Sequence, residues 1–162
     1  MFIYSIRAST VKVIGVMLLF ALILTGLVLS GEGGVVSASG NVTEVDFSHV
    51  KTRDDRIGFI KGFGIEIDEN SEEEIPFRMP ESFDRVILGY NELQKKQGLD
   101  LSKYENKRVT RYTYRVTNYK SDGEVYANLF VYRSKIVACD LSSGDPSGFV
   151  IPLTLVDREN LK

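Results

Sequence analysis

The sequence predicts an α+β domain that follows an N-terminal transmembrane helix. Three observations support this fold class: an uncharged apolar run, two stretches with apolar residues at helical spacing, and three later stretches in which apolar and polar residues alternate. The 162 residues favour a single domain, and 43% hydrophobic and 26% charged residues are typical of a globular protein. The predicted parts are a cytoplasmic N-terminus at 1–12, a transmembrane helix at 13–29, a flexible tether at 30–50, an extracytoplasmic domain at 51–156 and a tail at 157–162.

The apolar run at residues 13–29 has nearly the length that a membrane requires. As a helix it would span about 26 Å, against a hydrocarbon core of about 30 Å. Arg7 and Lys12 precede the run and Glu32 is the first charged residue after it, which places the N-terminus in the cytoplasm and the domain outside. The alternative is a cleavable signal peptide, whose apolar region is usually shorter and ends close to a small-x-small site, here 36–38. We predict an uncleaved, single-pass anchor in the cell membrane.

The first predicted helix begins where the domain begins. Thr52 and Asp55 have the spacing of a capping box, and Gly62 follows the helical stretch as a stop signal. The next residues, 65–67, alternate as in a short strand. The acidic stretch "DENSEEE" at 68–74 is interpreted as a solvated loop, because it lacks the spacing of a calcium-binding loop.

The second predicted helix covers residues 81–97. Pro80 precedes it, as is common near the first turn of a helix, and Gly98 follows it. Its apolar face is formed by Phe83, Val86, Ile87, Tyr90 and Leu93. This spacing indicates a helix that packs one side against a core.

Three alternating stretches predict an antiparallel meander in the C-terminal half of the domain. They are "KRVTRYTYRVT", "EVYANLFVY" and "KIVACD", at residues 107–117, 124–132 and 135–140. The Asp122-Gly123 pair is a hairpin signal, and a tight turn is predicted at Arg133-Ser134. Short strands near Ile65 and Ile75 are predicted to extend this sheet.

Within the segment "RYTYRVTNY", at residues 111–119, alternation places Tyr112 and Tyr114 on one face of the sheet and Arg111 and Arg115 on the other. The tyrosines are expected to stack with the aromatic row of the next strand. In one interpretation this aromatic face packs against the helices, while the two arginines form an exposed pair on an amphipathic face. In the other, the aromatic face binds a ligand. The first is favoured, because the domain has few other large apolar groups for a core. The candidate ligand-binding residues are Arg111, Arg115, Tyr112 and Tyr114.

The sequence predicts no catalytic residue, no metal ligand and no cofactor. His49 is the single histidine and is expected in a surface segment, and Cys139 is the single cysteine and is expected as a buried, inert thiol. Asp140 and Asp145 flank a polar stretch that is interpreted as a turn. The body after the apolar run carries more acidic than basic residues, which argues against a nucleic-acid partner.

One segment resembles a known family. The string "YNELQKKQGLDLSKYENKRVTRYTYRVTNY" at residues 90–119 is similar to the bacterial domain of unknown function 4830, and the flanking "DDRIGFIKGFGIEI" and "ANLFVYRSKIVACD" are similar too. The likeness covers about residues 52–149. It implies a source among the Firmicutes and supports the domain limits, but it implies no activity and no site residues.

These observations together predict a membrane-anchored protein whose extracytoplasmic domain is a non-catalytic binding or interaction module. Its expected partners are the membrane itself and either a cell-envelope ligand or a membrane protein. Two alternatives stay open: a small cell-envelope enzyme that uses carboxylates, because 22 acidic residues offer many pairs, and an accessory subunit of a membrane complex.

Overall fold

The computed structural model describes residues 45–145 and 147–162, which form two α-helices, three short 3-10 helices and one sheet of five strands. In chain order the elements are α1 (Arg53–Lys61), β1 (Ile67–Arg78), α2 (Arg85–Lys95), β2 (Arg108–Val116), β3 (Val125–Tyr132), β4 (Lys135–Ser143) and β5 (Val150–Pro152). The strands lie in the order β1-β2-β3-β4-β5, and every neighbouring pair is antiparallel. The α+β class is therefore confirmed.

The predicted membrane anchor at residues 13–29 lies outside the described residues, as do the cytoplasmic segment 1–12 and the tether up to residue 44. None of the helices in residues 45–145 and 147–162 has both the length and the hydropathy of a membrane-spanning helix.

Helix α1 begins as its capping box predicts. The Thr52 hydroxyl accepts a hydrogen bond from the Asp55 backbone N–H at 3.1 Å, and the Asp55 carboxylate accepts one from the Thr52 N–H at 2.7 Å. Gly62 is the C-cap, and Gly64 then adopts a φ of +81°, a conformation that glycine reaches without strain.

Strand β1 corrects the prediction of an acidic loop at residues 68–74. The strand runs through this stretch, with an irregularity between Asp68, which lies opposite Arg115, and Glu73, which lies opposite Thr113. Residues of low strand propensity are held there by distant partners: Arg115 pairs with Asp68 at 2.6 Å, and Arg56 pairs with Glu72 at 3.1 Å. The pattern of residues 68–74 alone includes neither arginine, so it could not predict the strand.

Helix α2 is shorter than predicted and is not opened by Pro80. It begins after Asp84, whose carboxylate accepts a hydrogen bond from the Ile87 backbone N–H at 2.9 Å. An aspartate N-cap satisfies one of the free N–H groups of the first turn, and this fixes the start of the helix more strongly than the proline does. After the helix, Gly98 has a φ of +83°, as its place after the last turn suggested.

The predicted meander is confirmed as β2, β3 and β4. Arg133 and Ser134 form the tight turn between β3 and β4, with φ angles of 46° and 63°. The third strand extends beyond the predicted end at Asp140 to Ser143, so it includes the first residues of the polar stretch that was interpreted as a turn. Strand β5 was missed because three residues carry too little alternation to detect.

The two helices pack on opposite faces of the sheet, and this corrects the interpretation in which only one face packs against both of them. On the face covered by α1, hereafter the α1 face, Tyr114, Ala127 and Leu141 align across three strands and join one core with Ile60 of α1. On the other, the α2 face, Phe130 and Ala138 pair and join a second core with Tyr90 and Leu93 of α2. Both faces need apolar cover because both side-chain rows of β3 and β4 are largely buried.

Both ends of the described chain contact the domain. The Phe47 carbonyl accepts a hydrogen bond from the Ile136 N–H at 2.8 Å, so the end of the predicted tether joins the start of β4. Within the predicted tail, Leu161 forms a bridge with Tyr119 and packs against the core of the α1 face.

Candidate functional site

The strand register places the polar residues of three strands side by side on the α2 face. Arg111 lies opposite Phe130, Thr113 lies opposite Asn128, and Asn128 lies opposite Asp140. We call this set the polar strip; it consists of Arg111, Thr113, Asn128, Asp140 and Ser142. Helix α2 covers the apolar part of the same face.

Hydrogen bonds link the members of the polar strip around a fully buried carboxylate. Asp140 has no exposed surface, and its two oxygens accept hydrogen bonds from the Tyr90 hydroxyl at 2.6 Å and from the Asn128 amide at 2.8 Å. The same amide donates to the Ser142 hydroxyl at 2.9 Å, and the Thr113 hydroxyl donates to the Asn128 carbonyl oxygen at 2.9 Å. The direction of each bond is fixed because an ionised carboxylate only accepts.

Burial sets the protonation of this network. Burial raises the pKa of Asp140 to about 6, although hydrogen bonds from Tyr90 and Asn128 and the charge of Arg111 act in the opposite direction. Burial and the neighbouring Asp140 raise the pKa of Tyr90 well above its usual value, so this phenol keeps its proton and remains a donor.

Arg111 is half-buried at one end of the polar strip, and its neighbours across the sheet are Ile75 of β1 and Phe130 of β3. Its Nε is buried and has no hydrogen-bond partner among the described residues. Burial lowers the pKa of Arg111, while the charges of Asp140 and Glu73 oppose that shift. A guanidinium carries five N–H donors and keeps its charge in proteins, so this side chain has unused donor capacity.

Arg115, in contrast, already has acidic partners. Its guanidinium lies 2.6 Å from the Asp68 carboxylate and 4.0 Å from that of Glu124, and the side chain is about half exposed. The hydrogen bond with Asp68 raises the pKa of Arg115. The prediction of an exposed arginine pair therefore holds for Arg115 and is wrong for Arg111.

The two candidate tyrosines lie on the α1 face, away from the arginines. Tyr114 is fully buried, and its hydroxyl accepts a hydrogen bond from Arg56 Nε at 3.1 Å and donates one to Glu72. The Arg56 guanidinium lies over the Tyr112 ring, 3.7 Å from its centroid. Burial raises the pKa of Tyr114 to about 12. These two tyrosines therefore contact a partly buried ion pair, Arg56 with Glu72.

The expected aromatic face does not form. Tyr112 and Tyr114 lie opposite Leu129 and Ala127, whereas Tyr126 lies opposite Arg115. The register pairs the tyrosine row of β2 with the aliphatic row of β3, and it pairs the arginine row with the aromatic one. A shift of one residue in register moves every side chain of a strand to the other face, and the sequence alone does not determine which rows of β2 and β3 share a face.

Two other residue types considered from the sequence lie apart from the polar strip. His49 is exposed and lies 3.7 Å from the Asp46 carboxylate. Cys139 is buried on the α1 face, and burial raises the pKa of its thiol well above the usual value. Within the described part of the chain, no group of three or more His, Cys, Asp or Glu side chains could hold a metal ion.

Sequence reasoning missed Thr113, Asn128 and Asp140 as parts of one network. The available signal was a polar residue inside an otherwise apolar strand, since Asn128 and Asp140 interrupt rows of buried side chains. Buried polar groups are usually hydrogen-bonded to one another or to the backbone, so their co-occurrence on adjacent strands was a usable clue. Assigning these residues to one network, however, requires the pairing register of the strands, which the sequence pattern does not give.

The comparisons with known proteins identify the family. One family model, described as a domain of unknown function (DUF4830), matches residues 59–141, just over half of the chain. The match runs from within α1 to within β4, and it includes Arg111, Asn128 and Asp140. No curated protein and no solved structure matches the chain. The resemblance seen in the sequence is confirmed, and the chain belongs to the family of the domain of unknown function DUF4830.

Proposed function

We propose that the chain is a single-pass membrane protein whose extracytoplasmic domain is a non-catalytic binding module. The apolar run at 13–29 and the basic residues Arg7 and Lys12 before it support the anchor and its orientation. The binding role is supported by the polar strip, and the ligand is a component of the cell envelope.

One observation carries this proposal: the half-buried guanidinium of Arg111, whose Nε has no partner among the described residues. A buried donor without an acceptor costs about 1–3 kcal/mol, so a protein gains nothing in stability from keeping it. The side chain as a whole is half-buried, so a ligand with acceptor oxygens would bind it at its remaining exposed surface. An unsatisfied buried group in a native structure calls for an explanation, and a ligand beside this side chain is the one we propose.

The binding role is tested with full-length protein that carries a C-terminal tag and is purified in detergent. The protein is incubated with isolated envelope material, either cell-wall fragments or membranes, and the retained fraction is measured for wild type, Arg111→Gln and Arg108→Gln. Arg108 is an exposed arginine of the same strand on the opposite face, so it is a matched control. We expect retention of wild type and Arg108→Gln and loss of Arg111→Gln. Equal retention of both variants would argue against the polar strip as the binding surface.

The orientation is tested separately by adding protease to intact cells. If the domain is outside, its C-terminal tag disappears from intact cells as fast as from lysed cells. A tag that survives in intact cells and is lost only after lysis places the domain in the cytoplasm and rules out an envelope ligand.

A carboxylate enzyme of the cell envelope is the second candidate, and the pKa of Asp140 near 6 favours it. Both oxygens of Asp140 are occupied by hydrogen bonds and the side chain has no exposed surface, so a substrate reaches it only after α2 moves. Release of soluble fragments from cell-wall material tests this role. Under our proposal, wild type and Asp140→Asn release equally little; release by wild type that Asp140→Asn abolishes would establish the enzyme.

A further inference from the structure

We propose that one end of the sheet binds the anionic headgroups of the membrane that carries the anchor, so that the domain rests on the bilayer in a fixed orientation. This surface, hereafter the basic end, lies at the turn between β3 and β4. Its exposed basic residues are Arg78, Lys103, Lys107, Arg108, Arg133 and Lys135. The inference rests on the proposed anchor at residues 13–29, but it uses neither the polar strip nor the side of the membrane on which the domain lies.

The antiparallel order of the strands gathers these residues at one end of the sheet. Strand β3 ends and β4 begins at the turn Arg133-Ser134. The start of β2 lies beside the end of β3. Arg108 at the start of β2 lies opposite Arg78 at the end of β1, so two further strands contribute basic residues to the same end.

The connection that leads into β2 adds two lysines, Lys103 and Lys107. Between them, the ring of Tyr104 packs edge-on against the ring of Tyr132, with centroids 5.5 Å apart. Tyr132 is the last residue of β3, so this contact places the connection beside the turn. Both tyrosines are half-buried. Tyrosine is enriched at the boundary between lipid and water because its ring is apolar and its hydroxyl is polar, so this pair suits a surface that meets a membrane.

The charge of the basic end is not neutralised within the described domain. Segments 78–79, 103–108 and 132–136, which form this end, contain six basic residues and one acidic residue, Glu105. None of the six forms an ion pair with a described residue. Their positive charge is therefore available to an external anionic surface.

The opposite end of the sheet has the other sign. Segments 66–69, 115–124, 143–145 and 157–162 lie there and contain eight acidic and four basic residues. One of these basic residues, Arg115, is already paired with Asp68 at 2.6 Å. An anionic surface therefore attracts one end of the domain and repels the other, which gives the bound domain a defined orientation.

The chain enters the domain at the basic end, and this identifies the membrane as the anionic surface. The Val50 N–H donates a hydrogen bond to the Ser134 carbonyl at 2.9 Å, and residues 30–44 separate the apolar run from the described chain. If residues 30–44 are a flexible tether, as the sequence predicts, their mean reach is about 20 Å. That is about twice the screening length of about 10 Å in 0.1 M salt. The anchor thus holds the basic end near the bilayer, where each basic residue strengthens binding to anionic lipid about 5-fold.

The test uses full-length protein in lipid nanodiscs of phosphatidylcholine, with or without the anionic lipid phosphatidylglycerol. A donor fluorophore is attached through Ser82→Cys or Ser121→Cys; both serines are exposed, whereas the native Cys139 is buried. Position 82 lies near the basic end, since the Met79 N–H donates to the Lys107 carbonyl at 2.8 Å, and position 121 lies at the opposite end. Energy transfer to an acceptor on the lipid headgroups reports how close each end is to the bilayer.

We expect phosphatidylglycerol to raise the energy transfer from position 82 and not from position 121. An increase in salt from 0.1 M to 1 M should abolish this rise, because the screening length falls from about 10 Å to about 3 Å. In phosphatidylcholine alone, the transfer from position 82 should depend little on salt.

Charge variants locate the contact. The first variant replaces three exposed lysines of the basic end: Lys103→Gln, Lys107→Gln and Lys135→Gln. The matched control removes the same number of charges from the opposite end: Lys120→Gln, Arg158→Gln and Lys162→Gln. We expect the first variant to lower the ratio of bound to unbound domain by at least about 10-fold, whereas the control leaves this ratio unchanged. Thermal unfolding of both variants shows whether the fold is retained.

The inference is overturned if phosphatidylglycerol leaves the transfer from position 82 unchanged, if it raises the transfer from both positions equally, or if the two charge variants have the same effect. The last result would assign the effect to net charge rather than to the basic end. Failure of this inference is distinct from failure of the proposed function. Arg111-dependent retention on envelope material without binding of the basic end to lipid leaves the binding module in place, whereas a protein that does not stay with the lipid of either nanodisc overturns the anchor and both proposals with it.

Discussion

Arg111 shows how a single residue connects stability with binding. Its side chain is half-buried beside its strand neighbours Ile75 and Phe130, and its Nε donates to no described residue. Transfer of a charged group out of water costs free energy unless a partner compensates it. The residue is therefore expected to reduce the stability of the free domain.

The corresponding prediction is that Arg111→Met stabilises the protein in the absence of ligand. Methionine keeps the apolar stem and removes the charge, and we expect the free energy of unfolding to rise by about 1 kcal/mol. Urea unfolding of wild type and variant measures this, with the exposed Arg108→Met as the control that should change little. A loss of stability in Arg111→Met of the same size would mean that the guanidinium has a stabilising partner.

Asp140 predicts a pH dependence of stability. Its pKa is about 6 in the folded protein against 3.8 as the ordinary value. Between these two values the unfolded chain loses the proton first, so raising the pH from about 4 to 6 favours the unfolded state, by on the order of 3 kcal/mol at about 1.36 kcal/mol per pKa unit. Below pH 4 and above pH 6 this contribution is constant.

The measurement is the free energy of unfolding across this pH window, in wild type and in Asp140→Asn. Other carboxylates have lowered pKa values, such as Asp100 at about 2, and these act in the opposite direction. The difference between the two proteins is therefore the quantity to compare. From pH 4 to 6 the free energy of unfolding of wild type should fall relative to that of Asp140→Asn, and above pH 6 the difference should stay constant. A difference that is the same at every pH would contradict the raised pKa of a buried Asp140.

At the level of secondary-structure elements, Tyr114 joins three of them. Its hydroxyl contacts Arg56 of α1 and Glu72 of β1 from its place in β2. Arg56 is buried, so its charge depends on these two partners. The cluster explains why α1 packs beside the irregular part of β1.

Tyr114→Phe should therefore lower the free energy of unfolding by about 1–2 kcal/mol, because it removes the hydroxyl from two charged partners and leaves the ring in place. Tyr126→Phe is the matched control: among the described residues its hydroxyl bonds only to the exposed Glu124, at 2.5 Å, and the loss of this bond should cost less than about 0.5 kcal/mol. Chemical denaturation of the two variants checks the prediction, and equal effects would show that the buried cluster contributes no more than a surface contact.

The elements that were predictable are those with local signals. The capping box at Thr52 and the turn at Arg133-Ser134 are set by residues a few positions apart, and both were correct. The stretch at 68–74 was taken as a loop because the partners that hold it, Arg56 and Arg115, are distant in sequence. The burial of Arg111 was missed for a related reason: alternation assigns a face, but only the register and the position of α2 decide whether that face is covered.

At the scale of the whole molecule, the described chain is a sheet with one helix on each face, and both chain ends are held against it. The described N-terminal end joins the sheet near the turn at Arg133-Ser134, through Val50 and Ser134 at 2.9 Å. Leu161 at the other end pairs with Tyr119, which lies in the connection between β2 and β3. These two connections lie at opposite ends of β3. If residues 13–29 anchor the chain, the end near Ser134 is therefore the one linked to the membrane.

The C-terminal contact gives a last prediction. Leu161 packs against the core of the α1 face, and its side chain lies beside the turn at Gly64. Leu161→Ala should lower the free energy of unfolding by about 1–2 kcal/mol, less than for a fully buried leucine because Leu161 is half-buried. The control is Leu155→Ala, since Leu155 is 50% exposed and its truncation should cost less than about 0.5 kcal/mol. Thermal unfolding compares the two. If Leu161→Ala is as mild as the control, residues 157–162 are a dispensable tail; if it is not, they are part of the folded unit, because their burial then contributes to its stability.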